Sequence, residues 1–442
     1  MEHPSAEDDL AFVQDFVARA RAAGADEAQV RLSYDEGVEV DFETTRISLL
    51  RTTRQDDILL TVFKSTRKGS ANIAGRAADA AARAVDEALA AADAALPDPA
   101  NGIAISEPGP PTVYGTAEPN REQLVDAARG HIDQMASDYP AIVTRNAYHR
   151  FNRTRRSFAN SHGVVRQETR GRYSFFTLFA ARRNGHATSF NYHGVSSYVP
   201  FPQLAEVGAL PQLYNDMVRS FDPQPAPGKF VGDVILTPDG FYELVIPSLT
   251  RALSGYSLLS GTSPYRDRRG EVIASPAFSL LNRPTPRYFP EGIDFDGFGI
   301  PTSDLDVIKD GVLNDFLVDF YISRKLGIKR TAVWSMFVVP PGQKSVAQIV
   351  GETERGIILT RFSGGVPGDN LDFSGIAKNA FYVEDGKLRY PLSETMISGN
   401  LRDLVLAIRD VLQETVKSRV PYCCWRRYYP RAVRSRMGPH AT

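Results

Sequence analysis

At 442 residues, 43% of them hydrophobic, the chain can bury large cores, and the usual size range predicts two to three domains. Its 51 Lys and Arg against 52 Asp and Glu exclude a global field that draws nucleic acid or an anionic membrane, so partners must be chosen by local surfaces. Two adjacent cysteines, Cys423 and Cys424, exclude both a disulfide framework and a spaced zinc knuckle, and fit a reducing compartment.

The opening MEHPSAEDDLAFVQDF is acidic and lacks the basic start and apolar core of a secretory signal. No stretch stays apolar for the ~20 residues of a membrane span, so the expected address is the cytoplasm. Residues 7–24 place Leu10, Phe12, Val13, Phe16 and Val17 on one helical face, with Gly24 as the C-cap. From 28 to 74, β-formers between turn residues predict a run of antiparallel strands. Residues 75–96 are so rich in Ala that they predict a helix, closed by PDPANG.

After SEPGPPTVYG, residues 122–139 read as an amphipathic helix, and 141–182 alternate as strands around a turn at Asn160–Gly163. The first half therefore predicts two helix-plus-antiparallel-sheet units in succession. Three prolines in FDPQPAPGKF, 221–230, mark the expected domain boundary. Beyond it a strand at 232–237 leads into a helix with Leu244, Ile246, Leu249 and Leu253 facing a core, its start limited by Pro247. VIKDGVLNDFLV at 307–318 and YVEDGKLRYPL at 382–392 each carry Asp-Gly between β-forming runs, the strongest short hairpin signal. Residues 400–416 read as a last strand or helix, and their apolar spacing favours helix. The class is α+β: two domains, antiparallel and mixed sheets with flanking helices, and a β-rich C-terminal half. The expected bounds are 1–222, 223–416 and a basic tail at 417–442.

The run FDGFGIPTSDLDVIKDGVLNDFLVDFYISRKLG, 295–327, resembles the characteristic block of the TldD/PmbA family, in which Asp-x-Gly-x-Pro-Thr leads into a hairpin. FYVEDGKLRYPLSETMISGNL at 381–401 is similar to that family's closing hairpin and Thr-Ile-Ala/Ser-Gly-Asn-Leu segment, and AGADEAQVRL and the Arg-x-Gly before the Ala-rich helix agree. The resemblance runs from about residue 10 to 416 and implies that the paired hairpins border a substrate groove.

Within that family the TldD type carries His-Glu-x-x-x-His on the helix opening the C-terminal domain, with a cysteine near the C-terminus as third ligand, for a catalytic zinc. The corresponding stretch here, PDGFYELVIPSLTRALSGY, 238–256, has no histidine, and Glu243 is its only acid after Asp239. The chain is thus similar to the metal-free TldE/PmbA subunit: no catalytic residue, metal or cofactor of its own, zinc in a TldD-like partner, and a heterodimer that hydrolyses unfolded or small peptides. Two other readings stand: a pair recruited to peptide or amide processing in specialised metabolism, and a non-enzymatic regulator binding DNA or gyrase.

His186 and His193, seven apart, fall on opposite faces of a regular strand and make a poor metal pair. His149 and His162 read as exposed strand or loop residues. No Gly-x-Ser-x-Gly elbow or phosphate-binding loop occurs. GTSPYRDRRGE, 261–271, is a lid or a solvated loop, and SGGVPGDN, 363–370, a chamber loop or a turn. SETMISGN, 393–400, can offer hydrogen bonds to an extended peptide by strand addition, or simply cap a helix through Asn400. The substrate-groove candidates are Thr395, Ser398, Gly399, Asn400 and Arg324, with Lys325 beside the last; a solvated helix end is the alternative for that pair. The tail SRVPYCCWRRYYPRAVRSRMGPHAT departs from the family's apolar terminal strands. It reads as a disordered extension or a shifted frame near 417 that leaves a sheet edge uncovered, or as an aromatic and basic nucleic-acid binder.

Overall fold

The computed structural model describes residues 4–73, 75–201, 203–332, 336–365, 367–413 and the backbone of a strand at 433–436. Helix α1 (Ala6–Ala22) opens with a reciprocal Ser5–Asp8 capping box and buries Val13, Phe16, Val17 and Ala20. Strands β1 (Glu27–Phe42), β2 (Ile47–Lys64) and β3 (Arg67–Ile73) follow as an antiparallel meander. Helix α2 (Ala78–Ala94) then lies on it through Ala81, Ala84, Val85, Ala88 and Ala92. The alanines are needed for closeness: a Cβ on Gly69 of β3 would sit 1.9 Å from the Ala88 carbonyl, so the Arg-x-Gly glycine lets helix and strand touch backbone to backbone.

After β4 (Thr112–Tyr114) and α3 (Arg121–Asp138) come β5 (Ile142–Asn160), β6 (Val165–Arg183), β7 (His186–Ala187) and β8 (Asn191–Ser197). The expected succession of two separate sheet units is not what forms. β1 pairs with β2 on one side and with β5 from Gln29 to Phe42 on the other, so one continuous sheet runs β3-β2-β1-β5-β6, with β4, β7 and β8 along the far edge of β6. β1 is long enough to use both its edges, and no free edge remains to separate the halves.

Period-two alternation then divides the sheet's faces. One face is apolar: Val30, Leu32 and Tyr34 pack under α1 and α2, and Val38, Val40 and Phe42 under α3 and α4 (Leu210–Arg219). The other carries Arg31, Ser33, Asp35, Glu39 and Asp41, with cross-strand partners such as Arg51 and Arg150 on Glu39. His149 contradicts its expected exposure: it lies on the helix-covered face, 2% exposed, its Nε2 3.0 Å from His131 Nδ1 and its ring stacked on Phe42.

The second large sheet holds β9 (Asp233–Leu236), β14 (Arg355–Gly364), β15 (Asp372–Glu384), β16 (Lys387–Pro391), β17 (Thr395–Asn400), β18 (Ile408–Val411) and β19 (Val433–Arg436). β9 and β14 run parallel, and the chain between them supplies α5 (Pro238–Leu244), α6 (Ile246–Ala252), α7 (Gly255–Leu259) and α8 (Phe320–Leu326). It also supplies a small sheet of β10 (Leu280–Asn282), β11 (Leu305–Lys309), β12 (Val312–Leu313) and β13 (Phe337–Val338), then α9 (Val346–Gly351). Pro247 breaks the expected single helix into α5 and α6, yet Leu244, Ile246, Leu249 and Leu253 all enter the core as predicted. Both Asp-Gly hairpins form, each with two left-handed residues at the tip, Asp310–Gly311 and Asp385–Gly386.

Two expectations fail at the C-terminal end. Where the apolar spacing favours a helix over 400–416, the described residues 400–413 make only a six-residue helix, α10 (Leu401–Leu406), before turning into β18, because Ile408 and Val411 pack into the sheet core. The sheet edge expected to lie bare is filled: β19, drawn from the basic tail, sits between β9 and β18. The aromatic and arginine run at 425–429 and the two cysteines lie outside the described residues. Among the described residues no helix is long and apolar enough to cross a membrane.

Candidate functional site

The strand-to-helix turn that opens the second sheet is where the family resemblance implies the catalytic motif of the TldD type would stand. Thr237 caps α5, and Phe241, Leu244 and Ile246 drive the helix pair into the core, leaving Glu243 at its rim against β8 and β14. The carboxylate is fully engaged. It accepts from Tyr192 Oη at 2.7 Å and from the Phe362 backbone N–H at 2.8 Å, and pairs with Arg361 Nη2 at 2.7 Å. The Arg361 guanidinium also lies over the Tyr192 ring, 3.4 Å from its centroid. Burial pushes the Glu243 carboxyl above the usual range, with Arg361 and the two donors pulling it back. Both of its oxygens are thus taken by protein partners. Tyr242 beside it is 4% exposed within the core, and Pro247 starts α6. A zinc ion does not fit this donor set. Among the described residues no three His, Cys, Asp or Glu side chains gather to hold a metal elsewhere.

The groove candidates form two separate groups. Thr395, Ser398, Gly399 and Asn400 all lie on β17, which pairs antiparallel with the first half of β15 and has no strand partner on its outer edge among the described residues. Thr395 Oγ1 donates to the Ser393 carbonyl at 2.8 Å, Ser398 sits opposite Ser374, and Gly399 lies against the Phe373 ring. Asn400 caps α10, accepting from Arg402 N–H at 2.9 Å, while its Nδ2 donates to the Asn370 carbonyl and to Asp372 Oδ1. Helix capping is thus present, and the segment it closes is a strand.

That strand's outer edge already receives extended chain once. Immediately before β17, Gln224 of the connecting segment forms a parallel bridge to Leu392: Gln224 N–H donates to the Pro391 carbonyl, and Ser393 N–H to the Gln224 carbonyl. The segment then swings away, leaving a cavity of about 200 Å³ between Gly228–Phe230 and Thr395–Ile397, with Met396 59% exposed beside it. A further cavity of about 420 Å³ lies on the other side of Ser393 and Glu394, between Ser220–Pro223 and Lys378–Ala380. Its floor is pinned by Asn379, left-handed in mid-strand with φ +50°, whose Nδ2 donates to the Phe190 carbonyl of the first sheet's edge.

Arg324 stands apart from β17. In the last turn of α8 its Nη2 donates to the Pro99 carbonyl at 2.9 Å, and Lys325 pairs with Asp98 at 2.8 Å, so both basic ends clamp the 97–102 segment and are not simply solvated. The side chains that sequence reasoning missed are Tyr192, Arg361 and Asn379, which hold the first sheet to the second. Each lies far along the chain from its partner, and the one local trace is an asparagine interrupting a β-forming run.

Two sheet layers in an α+β chain, the second opened by the α5–α6 helix pair, are the architecture of the PmbA/TldA metallopeptidase-like proteins that this chain is similar to. A family model described as the PmbA/TldA metallopeptidase C-terminal domain matches residues 227–436, a span that includes β19. The family's C-terminal domain thus accounts for the second half of the chain, and relatives carrying the PmbA name are similar to it along most of its length. The chain is 27% identical over 395 residues to Metalloprotease PmbA of Escherichia coli O157:H7, covering 86% of each chain. It is 23% identical over 418 residues to the Metalloprotease PmbA homolog of Haemophilus influenzae, covering 90% of each. Among solved structures it superposes on TldE from Thermococcus kodakarensis with a TM-score of 0.82 at 19% identity, covering 96% of this chain and 99% of that one. A putative modulator of DNA gyrase from Bacteroides thetaiotaomicron gives 0.83 at 19% identity, covering 98% and 100%. These likenesses establish the fold.

Proposed function

We propose that this chain is the subunit of a TldD/PmbA-type metallopeptidase pair that carries no catalytic metal itself. A TldD-like partner supplies the zinc and the hydrolytic step, and this chain walls the chamber and holds an extended peptide along the open edge of β17. One observation carries the reading: Glu243, the one acid on the α5–α6 helix pair beyond Asp239 of its first turn, is consumed by Tyr192, Arg361 and the Phe362 amide. A carboxylate so engaged neither binds a metal nor takes a proton from water. Supporting the peptide role, the edge continuous with β17 already accepts Gln224 by backbone hydrogen bonds, and an apolar cavity beside Met396 can receive a side chain.

The division of labour follows from physical economy: a wall that orients substrate and excludes water raises the rate of a reaction whose Lewis acid sits on the facing subunit. The test is co-expression with the TldD-like chain of the same genome, followed by size analysis, metal content and a peptide cleavage assay. The isolated chain is expected to bind no stoichiometric zinc and to cleave nothing, and the pair to elute together and cleave an unfolded peptide. Stoichiometric zinc with turnover in the isolated chain would refute the proposal.

A further inference from the structure

A cavity of about 590 Å³, well within the range of small-ligand sites, opens where the end of β2 and the 96–102 segment meet α7 and α8. Its walls are aromatic: Phe63, Tyr256, Phe298, Phe320 and Tyr321. Phe298 and Phe320 stand 5.1 Å apart at 50°, a preformed corner, and Tyr256 is 66% exposed, a large ring with little packing of its own. The far wall is fixed. Asp98 accepts from Tyr321 Oη and Lys325 Nζ, both at 2.8 Å, while the Asp319 side chain caps α8 at the Ile322 N–H.

Two of the charges lining this space, Asp319 and Lys68, have no ion-pair partner among the described residues. Asp98 and Lys325 neutralise each other and Asp319 is used as a cap, but Lys68 on β3 has no carboxylate within ion-pair distance among the described residues. The space offers an aromatic corner and one ammonium without an ion-pair partner, while the Asp319 carboxylate is turned onto the α8 N-terminus. This is the complement of an aromatic ring joined by a short linker to a carboxylate.

We propose that this cavity binds the C-terminal residue of a peptide when that residue is aromatic, its ring entering the Phe298–Phe320–Tyr256 corner and its terminal carboxylate meeting Lys68. The choice of a peptide as the carboxylate's source rests on the peptide-handling reading above; the aromatic-carboxylate chemistry does not. The test is calorimetric titration of the full chain with N-acetyl-Ala-Ala-Phe, its C-terminal amide, N-acetyl-Ala-Ala-Ala and 3-phenylpropionate. The Phe acid is expected to bind saturably, and its amide and the all-Ala acid about tenfold more weakly or worse, the worth of one charge-assisted hydrogen bond.

Lys68→Gln should bring the acid down to the level of the amide and leave the amide unchanged. Tyr256→Ala, at an exposed ring, should weaken acid and amide alike, with both variants keeping the parent thermal midpoint. Equal affinity for acid and amide, or a silent Lys68→Gln, would overturn the proposal. Phenylpropionate binding as tightly as the tripeptide would overturn the peptide assignment. No cleavage is measured, so the outcome stands apart from whether a metal-bearing partner exists.

Discussion

His193 offers a direct measure of how the first sheet's core responds to acid. It sits on β8 opposite Thr177, 1% exposed, near the Val207 carbonyl but with neither ring nitrogen in hydrogen-bond geometry. Burial therefore holds its pKa down at about 4, against 6.5 in the unfolded chain. Below pH 6.5 the unfolded state takes up a proton that the folded state refuses until near pH 4, so this contribution to stability is full above 6.5 and is lost as the pH falls toward 4. Between pH 8 and pH 5 the linkage amounts to about 2 kcal/mol.

Other groups titrate in the same window. Asp216, raised to about 6 by burial, works in the opposite sense, gaining stability as the pH falls, and His131, also held at about 4, works in the same sense as His193. The readout must therefore be a difference. Urea unfolding of the parent and of His193→Asn at pH 8 and pH 5 cancels the other groups, and the variant should be less acid-sensitive by about 2 kcal/mol. An acid sensitivity equal in the two proteins would show that His193 is charged or solvated in the fold, and the reasoning would fail.

Glu243→Ala should destabilise the chain by about 3 to 5 kcal/mol in denaturant melts, because Arg361 and Tyr192 lose their buried partner, and Glu243→Gln by less. Phe158→Ala should cost about 3 to 5 kcal/mol, since its fully buried ring packs against Phe295 and Gly299 at the contact between the first sheet and the 295–299 loop. Gly311→Ala should cost more than about 1 kcal/mol in thermal melts, as φ is +82° and a Cβ would lie 2.4 Å from the Ala274 carbonyl. Asn400→Ala, losing a helix cap and the bonds to Asn370 and Asp372, should lower stability by about 1 to 2 kcal/mol. A destabilisation well below these values in any of the four would place the named contact outside the energetics of folding.

Much of the local structure was legible because it rests on short-range causes. Asp-Gly pairs impose a left-handed tip wherever they stand between β-formers, and both hairpins form. The Ala run is a helix on propensity alone, and its closeness to Gly69 explains why the residues are alanines and not leucines. The absence of imidazole at 238–256 was readable letter by letter.

What local pattern could not convey was which edges and charges meet. The alternation in β1 predicts two faces, but not that both its edges would be paired and join the two hairpins into one sheet. His149 read as exposed among arginines because neighbours in sequence are not neighbours in space: along a strand the arginines alternate onto the other face or lie further along.

The sequence by itself determined most of the element types, the hairpin tips and the absence of a histidine motif at 238–256, since these follow from residues within one or two turns of each other, whereas the 400–413 stretch turned from helix to strand. Only the tertiary structure decided that Glu243 is consumed by Tyr192 and Arg361, that Arg324 clamps Pro99, and that a strand from the basic tail fills the sheet beside β9. Those pairings join residues tens to hundreds of positions apart, and they are set by which buried donor, acceptor or edge would otherwise go unsatisfied once the layers close.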